Sequence, residues 1–122
     1  MSRNEENQGY FACLIGEQLS AVSFVMDYLQ LQFNDCFLTV LTPLVVLVGE
    51  QSYRLGDLPY RDALCERITR RVNNVALAAG RLRISFDDGG VFDISLREED
   101  YIGAEAINFQ FPEAGRMQML VM

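Results

Sequence analysis

Apolar and polar positions alternate along most of this chain, and the alternation restarts after each cluster of turn residues. Leu29, Leu31 and Phe33 take every second position, and so do Phe92, Ile94 and Leu96. A period of two places such residues on one face of a β-strand. The pattern predicts strands over 19–26, 29–33, 37–41 and 44–48 in the first half of the chain. In the second half it predicts strands over 72–78, 81–86, 91–96 and 104–111. The run 44–48 is unbroken by polar residues, as expected of a strand covered on both faces. Asn34-Asp35, Ala79-Gly80 and Asp87-Asp88-Gly89-Gly90 supply turn chemistry between strands, and Pro43 marks a bend or an edge.

A helical period stands out at one place. Tyr60, Leu64 and Ile68 follow one another at four-residue spacing behind Asp57-Leu58-Pro59, a helix start. That predicts a helix of about three turns, with Glu66 and Arg70 pairing on its wet side. Residues 10–15 predict one or two helical turns, and 1–8 a polar leader.

The two halves match each other. At one fixed offset Ile15 lies over Ile68, Val22 over Val75, Leu29 over Leu82, Phe33 over Phe86 and Asp35 over Asp88. Beyond an inserted Gly89-Gly90, Phe37 falls over Phe92 and Leu41 over Leu96. An internal repeat of this kind implies two copies of one unit. The expected architecture is therefore α+β and mostly antiparallel sheet. It is a single domain of two pseudo-two-fold-related repeats, each a short helix and about four strands. Repeat one covers 10–48, a connector 49–57, repeat two 58–111 and a tail 112–122.

Composition narrows the function classes. The chain has 122 residues, a net charge of −7, no His and no Lys. An acidic surface repels phosphate backbones, which argues against nucleic-acid binding. Without His or Lys, imidazole bases, Ser-His and Cys-His pairs, Schiff bases and the P-loop lysine are all excluded. No apolar run is long enough to span a bilayer and the first residues are no signal peptide, so the expected compartment is the cytoplasm and no membrane contact is expected. Cys13, Cys36 and Cys65 sit among apolar neighbours without metal-ligand spacing, as buried reduced thiols would. The apolar half of the composition and the run 117–122 predict a homodimer.

Carboxylates are the remaining candidates for chemistry. Asp87, Asp88 and Asp93 lack the spacing of a Ca²⁺ loop and are expected to form a turn without metal. Glu98, Glu99 and Asp100, followed by Tyr101 and Glu105, form the most acidic string, a candidate face for a basic protein partner. Asp27 and Tyr28 occupy a turn that, with Tyr101 and Glu105, is the candidate ligand cleft between the repeats. Six of the ten arginines fall between Arg61 and Arg83, and acids dominate the following segment. They pair either within one molecule or across a dimer. No cofactor and no catalytic residue is expected.

The strings Val22-Ser23-Phe24-Val25-Met26-Asp27-Tyr28-Leu29-Gln30-Leu31-Gln32-Phe33 and Asp100-Tyr101-Ile102-Gly103-Ala104-Glu105-Ala106-Ile107-Asn108-Phe109, with the hairpin between Leu82 and Leu96, resemble small stand-alone bacterial proteins of a domain-of-unknown-function family. The resemblance implies a compact, sheet-rich protein and brings no functional residue with it. The leading expectation is a non-enzymatic interaction protein, immunity-like in its acidic recognition face. The other is a small-molecule-binding protein or carboxylate-based enzyme using the cleft.

Overall fold

The computed structural model describes residues 3–122. Helix α1 spans Arg3–Phe11 and runs into a 3-10 turn at Ala12–Leu14. Five strands follow: β1 Ala21–Val25, β2 Tyr28–Phe33, β3 Cys36–Val40, β4 Leu44–Val48 and β5 Gln51–Tyr53. Helix α2, Tyr60–Cys65, opens the second half. Then come β6 Val72–Ala78, β7 Arg81–Phe86, β8 Val91–Ser95, a 3-10 turn at Glu98–Asp100, β9 Ile107–Glu113 and β10 Arg116–Val121.

The strands form two antiparallel sheets, ordered β1-β2-β3-β9-β10 and β5-β4-β8-β7-β6. Each sheet thus takes three strands from one half of the chain and a hairpin from the other. The first crossing is made in three residues, Leu41-Thr42-Pro43, between β3 and β4. Pro43 carries no N–H and suits this corner. The buried Thr42 hydroxyl donates to the Ser95 carbonyl, which pins the corner to β8. The return crossing is the longer segment between β8 and β9.

One core lies under both sheets. Leu31, Phe33, Leu38, Val40, Phe109 and Phe111 enter it from the first, and Val46, Leu77, Leu82, Ile84, Phe92 and Ile94 from the second. The helices close the gap between them. Phe11 stacks on Phe109 at 4.8 Å while α1 runs along β6. Helix α2 packs on β4 and β1, with Tyr60 and Leu64 buried. The Tyr60 hydroxyl donates to the Leu44 carbonyl at 2.8 Å, so the phenol enters the core without an unmet polar group.

Several expectations are corrected by these elements. The leader 1–8 is helical from Arg3 onward. The connector 49–57 contains β5, so each half carries five strands. Helix α2 ends after six residues, where a turn carries the chain toward Thr69, whose φ is +80. Asp57 accepts from the Arg54 amide instead of capping α2. Glu66 pairs with Arg67 rather than Arg70. The last predicted strand starts three residues later than 104 and passes through Pro112. The tail beyond it is β10, reached through an Ala114-Gly115 turn with both residues at positive φ, as in Ala79-Gly80. Of the three cysteines Cys36 alone is buried; Cys13 and Cys65 are exposed.

Candidate functional site

The candidate site residues fall into two separate places. The first is a cavity of about 350 Å³ lined by Asp27, Tyr28, Leu41, Ile102, Gly103, Ala104 and Glu105. It exists because three elements converge. The β1–β2 hairpin turns through Met26, held at φ +38, and presents Asp27 and Tyr28. Leu41 follows β3 and donates its N–H to the Ala106 carbonyl at 2.8 Å. That bond ties down the segment carrying Ile102 to Glu105. The fold therefore brings Asp27, Tyr28 and Glu105 to one hollow, while Tyr101 turns its ring against the core instead of lining it. Leu41, Ile102, Gly103 and Ala104 carry no chemical signal that a sequence could show.

Among the described residues no ion pair or hydrogen bond engages the Asp27 or Glu105 carboxylate. Two free carboxylates and a phenol beside Leu41 and Ile102 are suited to a small cation with an apolar body. No group of three or more metal-ligating side chains occurs among the described residues.

The second place is the 3-10 turn at Glu98–Asp100. Asp100 is only partly exposed and accepts a hydrogen bond from the Ser95 hydroxyl, so its charge is committed to the fold. Glu99 lies 3.4 Å from Arg97. Glu98 and Glu99 remain at the surface, and Glu105 belongs to the cavity. The acidic string is thus divided among three environments.

Four of the six arginines between Arg61 and Arg83 meet Asp88 or Asp93 inside the molecule. Arg81 and Arg83 both reach Asp93 at 3.0 Å. Asp93 and Ser95, which alternation assigned to a polar face, are buried, because the arginine side chains reach across that face to meet the carboxylate. Asp88 meets Arg67 at 3.1 Å and Arg70 at 3.8 Å, and also accepts from the Gly90 amide. This turn is built around an arginine. The Arg67 side chain is 6% exposed and lies on the bare Cα of Gly90, where a Cβ would come within 2.6 Å of Nη1.

The cysteines provide no activated thiol at the one place where two meet. Cys13 and Cys36 have their sulfurs 3.9 Å apart. Burial, with the neighbouring Cys13 as a second cause, pushes Cys36 up to about 12. Burial also raises Cys13. Both are protonated at neutral pH and are poor nucleophiles.

The free edge of β10 is the feature that sequence reasoning missed. Met117, Met119 and Val121 are exposed there, in a strand that none of the described residues pairs on its outer side. The Ala114-Gly115 turn, a repeat of Ala79-Gly80, was the signal that a hairpin and not a tail followed Pro112. Among the described residues no helix is long and apolar enough to cross a membrane. No family model, curated protein or solved structure matches this chain.

Proposed function

We propose that this protein is a non-enzymatic interaction protein that engages its partner through the free edge of β10. One observation carries the reading. Arg116–Val121 is a terminal strand with no lysine, no proline and no bulge, and it leaves Met117 and Met119 54% and 62% exposed. Natural sheets cover or charge such edges unless something pairs with them. The other edges are managed. Gln8 Oε1 accepts from the Leu77 amide on β6 at 3.0 Å, and Glu17 accepts from the Val72 amide at 2.9 Å. Arg61 lies over Phe24 of β1, and β5 has only three residues.

We also take the halves to be two copies of one unit that exchange their last hairpins. The matching strand orders and the burial of both Phe33 and Phe86 support this. The pairing asks for one inserted residue between the copies, since Leu31 faces Leu38 where Ile84 faces Phe92. In this frame β10 is the counterpart of β5, and it is twice as long. The added length falls where a partner would pair. A reducing compartment such as the cytoplasm fits the free cysteines. Glu98 and Glu99 would bias the approach toward a basic partner, as in an immunity-like role, by steering that fades with salt.

The cavity at Asp27, Tyr28 and Glu105 supports a second reading, a small-molecule site for an amine or guanidine. Hydrogen exchange separates the two. On binding a polypeptide, itself included, the amides of Met117, Met119 and Val121 should gain protection. Protection confined to the segments around Asp27 and Glu105 would instead select the cavity.

A further inference from the structure

We infer that the occupant of the β10 edge is a second copy of this chain, paired antiparallel about a two-fold axis through Met119. The inference rests on the sheet-edge reading above and names its partner. Met122 and Ile107 exchange both backbone hydrogen bonds, at 3.1 and 3.2 Å. Antiparallel ladders alternate, so Leu120, Gln118 and Arg116 also turn their backbone groups toward β9. Met117, Met119 and Val121 therefore turn theirs outward. Pro112 agrees with this phase. It faces Met117 in the pairing, a position where β9 donates no N–H to β10, so its missing donor costs that ladder nothing.

A strand that pairs with its own copy must set outward residues opposite outward residues. With the axis at Met119, Met119 meets Met119 of the other copy and Met117 meets its Val121. Every outward group of the strand finds a partner with no overhang. The side chains follow the same rule. Met117, Met119 and Val121 share one exposed face, so thioethers and a branched aliphatic meet across the seam. On the other face Gln118 meets Leu120.

Charge decides between a copy and a dissimilar strand. A chain of net charge −7 repels its copy on the whole, and least along a sheet edge that carries no acid. From Ala114 to Met122 there is no acid, and Arg116 is the one charged side chain. The seam is a stretch where two copies approach with little repulsion, and it needs no complementary charge from another protein. Pairing there would continue the sheet β1-β2-β3-β9-β10 into that of the second copy.

The register can be tested by mass. Light scattering on the full chain should give twice 13.8 kDa. Met119→Pro removes an outward N–H that β9 does not use, and should give a folded monomer by circular dichroism. In the proposed register the double variant M117K/V121K sets Lys against Lys across the seam and should be monomeric. M117K/V121D sets Lys against Asp and should stay dimeric. The two charge variants decide the matter should Met119→Pro not fold. A dimer that tolerates all three variants, or loses both charge variants alike, overturns the Met119 register. A monomeric wild type whose β10 amides are protected by an added peptide of the Arg116–Val121 sequence overturns the dimer and leaves the edge reading standing. A monomer whose β10 amides are protected by no polypeptide removes both.

Discussion

At the scale of single residues, the turn at Asp87–Gly90 and the phenol of Tyr60 carry more structure than their positions announce. Gly90 lacks a side chain because the Arg67 guanidinium occupies that space, and Gly89 takes φ +87 beside it. Gly90→Ala should drive Arg67 off Asp88 and leave a buried charge displaced. A cost of about 3 kcal/mol is expected for breaking such a pair, read as a lower melting temperature. Because Arg67 and Arg70 already satisfy Asp88, added Ca²⁺ should leave that temperature unchanged. Tyr60 gives a pH signature. Burial raises it from its ordinary 10.0 to about 12. A raised acid stabilises the fold while protonated, so the contribution is whole below pH 10 and is lost as pH climbs toward 12. Tyr60→Phe should cost about 1 kcal/mol near neutrality, from the Leu44 carbonyl left without its donor. Across the alkaline window its stability should fall less steeply than that of wild type, measured by denaturant unfolding at each pH.

At the scale of elements, helix α1 is the piece whose role the sequence hid. Arg3-Asn4-Glu5-Glu6-Asn7-Gln8 is polar, without an apolar stripe to announce a helix. Its value lies in what it covers. Gln8 reaches the edge amide of Leu77, and Phe11 docks on Phe109. Gln8→Ala should speed hydrogen exchange at Leu77 and lower stability by about 1 kcal/mol, leaving the rest of β6 as protected as before. The strands were legible where one face is buried. β7 shows this best, since Leu82, Ile84 and Phe86 are buried while Arg81, Arg83 and Ser85 are not. β5 and β10 were not legible because neither strand has a fully buried residue to set a period, and β5 is only three residues long. β10 is exposed almost throughout, so no core imposes an alternation on it.

At the scale of the whole molecule, the hairpin that each sheet takes from the other half of the chain makes the two sheets one cooperative unit. β9-β10 completes the sheet of the first half and β4-β5 that of the second. Neither sheet closes before both halves are present. Unfolding followed by tyrosine fluorescence and by far-ultraviolet circular dichroism should therefore give one coincident transition. Separate transitions would show that the halves are independent. Refolding should be slow for a chain of this size, because β3 must find β9 and β4 must find β8 across long loops.

The chain by itself determined most strand positions, the turns and the acidic, His-free chemistry, because each is written in adjacent residues. A two-residue period, an Asp-Gly turn and a missing imidazole are visible without any partner. It named Asp27, Tyr28, Tyr101 and Glu105 as one candidate cleft; the fold sets Asp27, Tyr28 and Glu105 around one cavity and packs Tyr101 against the core. Tertiary structure alone decided which sheet each hairpin joins and which acids are left free. It committed Asp100 to Ser95, Asp93 to two arginines and Asp88 to Arg67. It also left the outer edge of β10 without a neighbour among the described residues. Those outcomes depend on pairings between distant segments, and the energy of a long-range contact depends on what lies opposite, which local spacing does not contain.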